Sequence, residues 1–420
     1  MDMVIEGDCY QQGEFKHLEI GIDNGKIVKV AKSIDCDKRM NFGSKKILPA
    51  AIDPHVHFRD PGMTHKEDFR SGSIAALHGG VTCVFDMPNT KPPTTSIDFL
   101  NEKRGIALSR SHVDFGLFAG VQPGIDVEGL AEKVIGFKLY MAGTTGNLLV
   151  PSLRSIGSEL SRIAKCGKVL AVHAEDESLR DKERDEKNLH DHLAGRNNDC
   201  ETSAIRKIAD AAPNCRLHIC HVSARESIPL VFEQKNMTAE VSPHHLLLDR
   251  DRPIGSLGKV NPPLRTRADR QALCLALKQG RFDMIASDHA PHTMDEKSDD
   301  FQHAPCGMPG VETMYPLMLQ LVRERHLALA TVVRAMCEKP GEIFKIPKGK
   351  IEPGYDADLV VVDFMEGSEI RGDRLLTKCG WSAFDGMSCI FPKAVFAGGE
   401  LMMEDGSQSG DRMGREVIGK

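Results

Sequence analysis

The chain has 420 residues, 41% of them hydrophobic and 27% charged, the balance of a soluble globular enzyme with room for one large domain and a smaller one. A net charge of −6 and a pI near 6.3 speak against nucleic acid as a partner, and no basic tract marks a membrane surface. No apolar run approaches the ~18 residues of a spanning helix, residues 1–10 lack the apolar core of a secretory signal, and 12 cysteines without a Cys-x-x-Cys pair read as reduced thiols of a cytoplasmic protein.

In chain order, residues 4–7, 18–22 and 26–30 alternate as short strands, with Asp23-Asn24-Gly25 as the turn between the last two. Residues 47–57 read as one buried strand leading into Asp53-Pro54-His55-Val56-His57-Phe58-Arg59. Further apolar runs follow at 81–87, 113–121, 135–141, 169–174, 216–222, 237–241 and 283–286, separated by helical segments. Eight such βα units over about 300 residues fit a closed (β/α)8 TIM-type barrel better than an open sheet. The charged run 176–192 reads as a solvated helix and loop, and Gly143-Thr144-Thr145-Gly146 lacks the lysine of a phosphate loop. After the barrel, Gly354-Tyr355-Asp356-Ala357-Asp358 leads into a strand at 359–363, and 394–399 resembles another hairpin. Both chain ends are therefore expected to build one small β-sandwich domain, 1–48 with 347–420, around a barrel at 49–346. The last dozen residues read as a mobile tail or a packing arm.

Barrel enzymes gather their chemistry at the C-terminal ends of the strands, so the polar residues there decide what the chain can do. His55 and His57 are two apart on a strand and face the same side, where two neutral imidazoles suit a divalent metal such as zinc. Arg59, one step further, offers a planar fork to a carboxylate. Lys138 lies on the fourth run, His173 ends the fifth, His221 the sixth, and Asp288 follows the eighth. Any one of these is readily structural. Four histidines, a lysine and an aspartate on five strand ends point to a metal centre. A buried ammonium beside dications is opposed by like charge and lost hydration. Lys138 could escape that cost by adding carbon dioxide to become a carbamate, an anion whose two oxygens can bridge two metals; a lysine aimed outward or paired with a carboxylate is the alternative. Cys220 is expected on the opposite strand face from His221, in the core, and Glu240 and His245 in satisfied structural roles.

His55-Val56-His57-Phe58-Arg59-Asp60-Pro61-Gly62, Asp86-Met87-Pro88-Asn89-Thr90, Phe137-Lys138-Leu139-Tyr140, Val172-His173-Ala174-Glu175, Cys220-His221-Val222-Ser223, Asn261-Pro262-Pro263-Leu264-Arg265 and Ser287-Asp288-His289-Ala290-Pro291-His292 together resemble the amidohydrolase superfamily, most closely its dihydroorotases, over essentially the whole chain. The resemblance implies two Zn2+ ions per chain. His55, His57 and Asp288 would hold the buried ion and His173 and His221 the outer one, with N6-carboxylated Lys138 and a hydroxide bridging them. It also implies Asp288 as proton shuttle, and Arg59, Asn89 and His292 as the grip on a substrate carboxylate. The alternatives are that Asn89 only caps the turn before Pro92-Pro93 and that His292 is a loop histidine. Asn261 is within reach of the ring edge, but some members carry arginine there, which leaves its role open.

The implied reaction is the reversible cyclisation of N-carbamoyl-L-aspartate to (S)-dihydroorotate in UMP synthesis, with a homodimer or aspartate transcarbamoylase as macromolecular partner. The loop 142–147 after Lys138 is expected to act as a lid whose threonines meet substrate. Two rivals remain. An allantoinase, hydantoinase or dihydropyrimidinase would share the metal site, but its uncharged ring gives Arg59 no counter-ion. A non-catalytic scaffold subunit would be expected to have lost ligands that are all present here.

Overall fold

The structure, a computed structural model, describes every residue except Thr145, Asn147, Pro151 and Lys420. Strands β1 (Met3–Gln11), β2 (Glu14–Asp23), β3 (Lys26–Ala31) and β4 (Arg39–Pro49) open the chain. The eight strands β5 (Ala51–Val56), β6 (Val81–Asp86), β7 (Asp114–Gly120), β8 (Gly136–Tyr140), β9 (Val169–His173), β10 (Arg216–Ile219), β11 (Met237–Val241) and β12 (Met284–Ile285) then pair in sequence order, all parallel. The sheet closes on itself past the end of β12, where Val56 bridges His289 and the His57 N–H donates to the His289 carbonyl at 2.8 Å. The barrel is thus formed as the βα rhythm predicts, with Phe85, Phe118, Ile135 and Met284 among its filling and Phe344 packed against Phe85.

Strand β13 (Leu359–Val362), the short pair β14 (Ser368–Glu369) and β15 (Ser388–Cys389), and β16 (Ala394–Ala397), β17 (Glu400–Glu404) and β18 (Ser407–Gln408) complete the chain. One eight-stranded sheet, ordered β18-β17-β16-β13-β4-β1-β2-β3, joins both chain ends. Strict alternation assigns its faces. Ile47, Leu359 and Val361 enter its own apolar core with Ile5 and Ile20, whereas Leu48, Val360 and Val362 turn to the core shared with the barrel.

The expected single strand over 47–57 is two strands. Ile47–Pro49 end β4 and pair with β13; β5 begins at Ala51 and pairs with β6. Both halves are fully buried, so an unbroken apolar run carried no period to mark the break. The C-terminal residues form a packing arm. The Gly414 N–H donates to the Ser111 carbonyl, Glu416 bridges Phe115, and Arg412 and Arg415 pair with Asp114 at the N-terminal end of β7, away from the barrel mouth.

Candidate metal centre

His55 lies on β5 and His57 one residue beyond it, with ring centroids 5.2 Å apart. Their Nε2 atoms stand 3.4 and 3.2 Å from Asp288 Oδ1, and the three donors lie within 4.8 Å of one another. His173 Nδ1 is 3.1 Å from His221 Nε2, and the His221 ring centroid is 5.3 Å from that of His55, so the two groups adjoin. Lys138, fully buried on β8, donates to Cys220 Sγ at 2.9 Å and lies over the Tyr140 ring. These ligand candidates share the wall of one cavity with Arg59, Asn89, Tyr140, Thr144, Asn261 and Cys306. Thr144 is the threonine of the expected lid that reaches this wall; Thr145 and Asn147 of that loop lie outside the described residues.

Three histidines are oriented from behind, the arrangement that fixes which ring nitrogen faces a metal. His55 Nδ1 meets Glu240 Oε1 at 2.5 Å, His57 Nδ1 meets Asn89 Oδ1 at 2.6 Å, and His173 Nε2 meets Glu175 Oε2 at 2.8 Å. The opposite nitrogen of each is left toward the cavity. Glu240 also receives His218 and the His221 N–H, and Glu175 receives Arg196 at 2.6 Å. Glu175 and Asp176 are consequently buried, so the charged run from 176 is not wholly solvated as its composition suggested. Asn89 spends its carbonyl oxygen on His57, and Asn261 Oδ1 lies 3.1 Å from His192 Nε2.

Arg59, His221 and Asp288 all have positive φ, at 62°, 37° and 48°. Such backbone costs about 1–3 kcal/mol per residue and persists where surrounding contacts impose it. Here it lets residues just past the strand ends turn into the mouth. Arg59 therefore reaches the cavity from a left-handed turn after β5 and not as a third residue of the strand. Cys220 is buried in the barrel's apolar core, as expected, and also has a polar contact there. β10 ends at Ile219, strand alternation no longer holds, and the thiol meets Lys138 and groups with His55 and Glu240 as a second cluster of potential ligands. His292 stands behind Arg59, off the cavity wall. Its Nδ1 is 3.0 Å from Lys66 Nζ, and its Nε2 is 3.1 Å from the Cys306 carbonyl and 3.3 Å from Arg59 Nη2. An ammonium only donates, so Nδ1 accepts from Lys66 and the proton sits on Nε2. His245 is a structural histidine, its Nε2 on the Pro262 carbonyl.

The electrostatics favour a cation. Burial pushes His57 down to about 3 and keeps His221 well below its ordinary value. Burial would raise Asp288, but His55, His57 and His221 hold it well below the carboxylate range. Burial and Lys138 oppose charge on His55, yet Glu240 and Asp288 lift it to about 10. Positive charge is thus demanded between two buried carboxylates, and His221 Nδ1 is buried without a partner among the described residues. A metal ion answers both conditions, and imidazole with carboxylate is the donor set that suits zinc.

The profile of the Amidohydrolase family matches residues 47–402. The chain belongs to the amidohydrolase family. Within it, this amidohydrolase is 39% identical to a dihydroorotase of Thermoplasma acidophilum, over 99% of this chain and 97% of that one. It is 38% identical to a dihydroorotase of Methanosarcina acetivorans, over 94% and 91% of the two chains. The L-hydantoinase (dihydropyrimidinase) of Arthrobacter aurescens superposes with a TM-score of 0.95 at 28% identity, over 99% of each chain. The dihydropyrimidinase of Brevibacillus agri, at 24% identity and a TM-score of 0.91, shares the fold. Sequence reading found the histidines, Lys138 and Asp288 but passed over Tyr140, Glu175 and Cys306. Tyr140 was findable, two residues beyond Lys138 and so on the same strand face.

Proposed function

We propose that this amidohydrolase is a dihydroorotase, interconverting N-carbamoyl-L-aspartate and (S)-dihydroorotate for UMP synthesis. The observation that carries the substrate is Arg59. Its guanidinium is fully buried on the cavity wall, Nη1 has no partner among the described residues, and its contacts are the Pro291 carbonyl and His292. Among the described residues no carboxylate pairs with it at close range, Asp288 and Asp86 acting from further away; a buried cation so placed is unfavourable, and a substrate carboxylate supplies the close counter-ion. A hydantoinase-type activity, favoured by the fold likeness to the Arthrobacter enzyme, leaves that charge unanswered.

His55, His57 and Asp288 would hold one zinc ion and His173 and His221 a second, with carboxylated Lys138 between them. When bound, the ions supply a water activated at neutral pH and polarise the ring carbonyl. Arg59 takes the carboxylate and sets the ring's orientation, with the Pro291 carbonyl holding the guanidinium and Asn89 fixing His57. Asp288, held ionised, accepts the proton of the attacking water and delivers it to the ring nitrogen as the C–N bond breaks; cyclisation runs the same transfer backward. Lys138 becomes the anion by adding CO2 to its free amine and releasing one proton, and its neighbour Cys220 offers no carboxylate to compete.

Residues 49–346 act as the catalytic unit in this reading, flanked by the β unit of 1–48 and 347–420. Among the described residues no helix is long and apolar enough to cross a membrane; a cytoplasmic enzyme, as a homodimer or with aspartate transcarbamoylase, is the accompanying expectation. The zinc-loaded chain should favour dihydroorotate over hydantoin, dihydrouracil and allantoin in kcat/KM by about 10²-fold, the worth of one charged hydrogen bond or two. Equal or faster turnover of dihydrouracil would sink the assignment.

A further inference from the structure

Cys306 is the only cysteine among the described residues on the wall of the substrate cavity, and it is half-buried, open to what enters. Its Sγ lies 4.0 Å from His192 Nε2. Both nitrogens of that ring face oxygen: Nδ1 is 2.9 Å from Glu186 Oε2, and Nε2 is 2.9 Å from the Val260 carbonyl and 3.1 Å from Asn261 Oδ1. Only a doubly protonated ring can donate to both sides, so the geometry places an imidazolium beside the thiol. Lys259 pairs with Glu186 at 3.1 Å, and Lys297 donates to the carbonyls of Pro305 and Gly307 on either side of Cys306. Among the described residues, Arg59 Nη1 and the Tyr140 hydroxyl on the same cavity wall are buried donors without a partner. An entering molecule with a carboxylate would find a cation waiting near a nucleophilic sulfur.

We propose that Cys306 is a site of reversible S-thiolation by small, carboxylate-bearing disulfides, and that the adduct closes the substrate cavity. The Cys306 thiolate attacks one sulfur of RS–SR, a new S–S bond forms as the old one breaks, and RS⁻ departs. Cys306 is oxidised to the mixed disulfide, one RS group is reduced to thiolate, and a free thiol reverses the exchange. The surroundings support the nucleophile. Burial would raise the thiol, but His192, Arg196 and Lys259 bring it to about 7, whereas burial pushes Cys9, Cys215 and Cys337 up.

The zinc-loaded full chain, treated with oxidised glutathione, should gain one glutathionyl group on the Cys306 peptide. Activity should fall in proportion, and dithiothreitol should restore both. Labelling should be half-maximal near pH 7 and, at that pH, about threefold faster than for an ordinary cysteine peptide, more thiolate being partly offset by its lower nucleophilicity. Cationic cystamine should label more slowly than oxidised glutathione. His192→Gln should slow labelling at neutral pH and recover it in alkali. Cys306→Ser should lose the adduct and keep its own untreated rate under the same exposure. Mass mapping reads the adduct whichever cyclic amide is the substrate, so it stands apart from the dihydroorotase assignment. Labelling confined to other cysteines, or full modification of Cys306 with turnover intact, would overturn the proposal.

Discussion

Of the fully buried lysines, Lys348 and Lys138 sit at opposite ends of this barrel, and they are solvated by protein in opposite ways. At the N-terminal end, Lys348 Nζ lies 2.7, 2.8 and 2.6 Å from carboxylate oxygens of Asp114, Asp356 and Asp358, with Lys26, Arg412 and Arg415 closing the outer side. At the mouth, Lys138 has Cys220 Sγ and the Tyr140 ring as its described partners. Both regions gather acidic or imidazole donors closely enough to hold a metal. At the base the ammonium already occupies the centre of the carboxylates, so the cluster is self-satisfied. At the mouth Asp288 meets only imidazoles and no ammonium or guanidinium among the described residues, and three of the residues there carry left-handed backbone. Density of charged groups does not separate a working site from a structural one; the internal counter-ion does.

The largest test of that contrast is Lys138→Ala, which should abolish turnover while leaving the fold intact by circular dichroism, with partial rescue by short carboxylic acids standing in for the carbamate. Unimpaired turnover in the variant would make the two lysines equivalent. Lys348→Met should do the reverse. It leaves buried aspartates uncompensated and should cost about 3–5 kcal/mol in denaturant unfolding, while the folded fraction keeps its KM. Arg59→Ala should raise KM for dihydroorotate by roughly 10- to 100-fold with a smaller change in kcat. An unchanged KM would mean that the Arg59 guanidinium does not bind the carboxylate.

The smallest effect is a pH slope. Burial would raise Asp114, but Lys348 and Arg412 hold it well below the usual range, and Lys348 and Lys26 lower Asp356 against the same opposition. Carboxyls depressed on folding contribute stability that is full above about pH 4 and lost as pH falls through their folded values. Acid melts should show that loss, and Lys348→Met should flatten it.

The barrel was legible because each inner strand is an apolar run flanked by helical sequence, and period alone carried that. The division at Ala50 was not, since two buried strands abut without a polar residue between them. Candidate ligand positions were legible where a histidine ends a strand; their supports were not. Glu240 is 185 positions from His55 in sequence, and no local pattern announces such a pairing. Cys220 was legible as core, but its contact with Lys138 was not, because the strand ends at Ile219 and His221 turns left-handed. His292 was assigned to the carboxylate, and Lys66, which holds its proton in place, gave no sequence signal at all.

The junction of the first and last barrel strands has a thermodynamic consequence. Val56 bridges His289 there and the Ser287 N–H donates to Asp53 Oδ1 at 3.1 Å, with His55 and His57 on one side of the junction and Asp288 on the other. An ion gripped by all three would rivet the seam, so filling the centre should raise the melting temperature and slow amide exchange at His57 before any substrate is added. Catalytic loading and mechanical closure of the cylinder would then be one event.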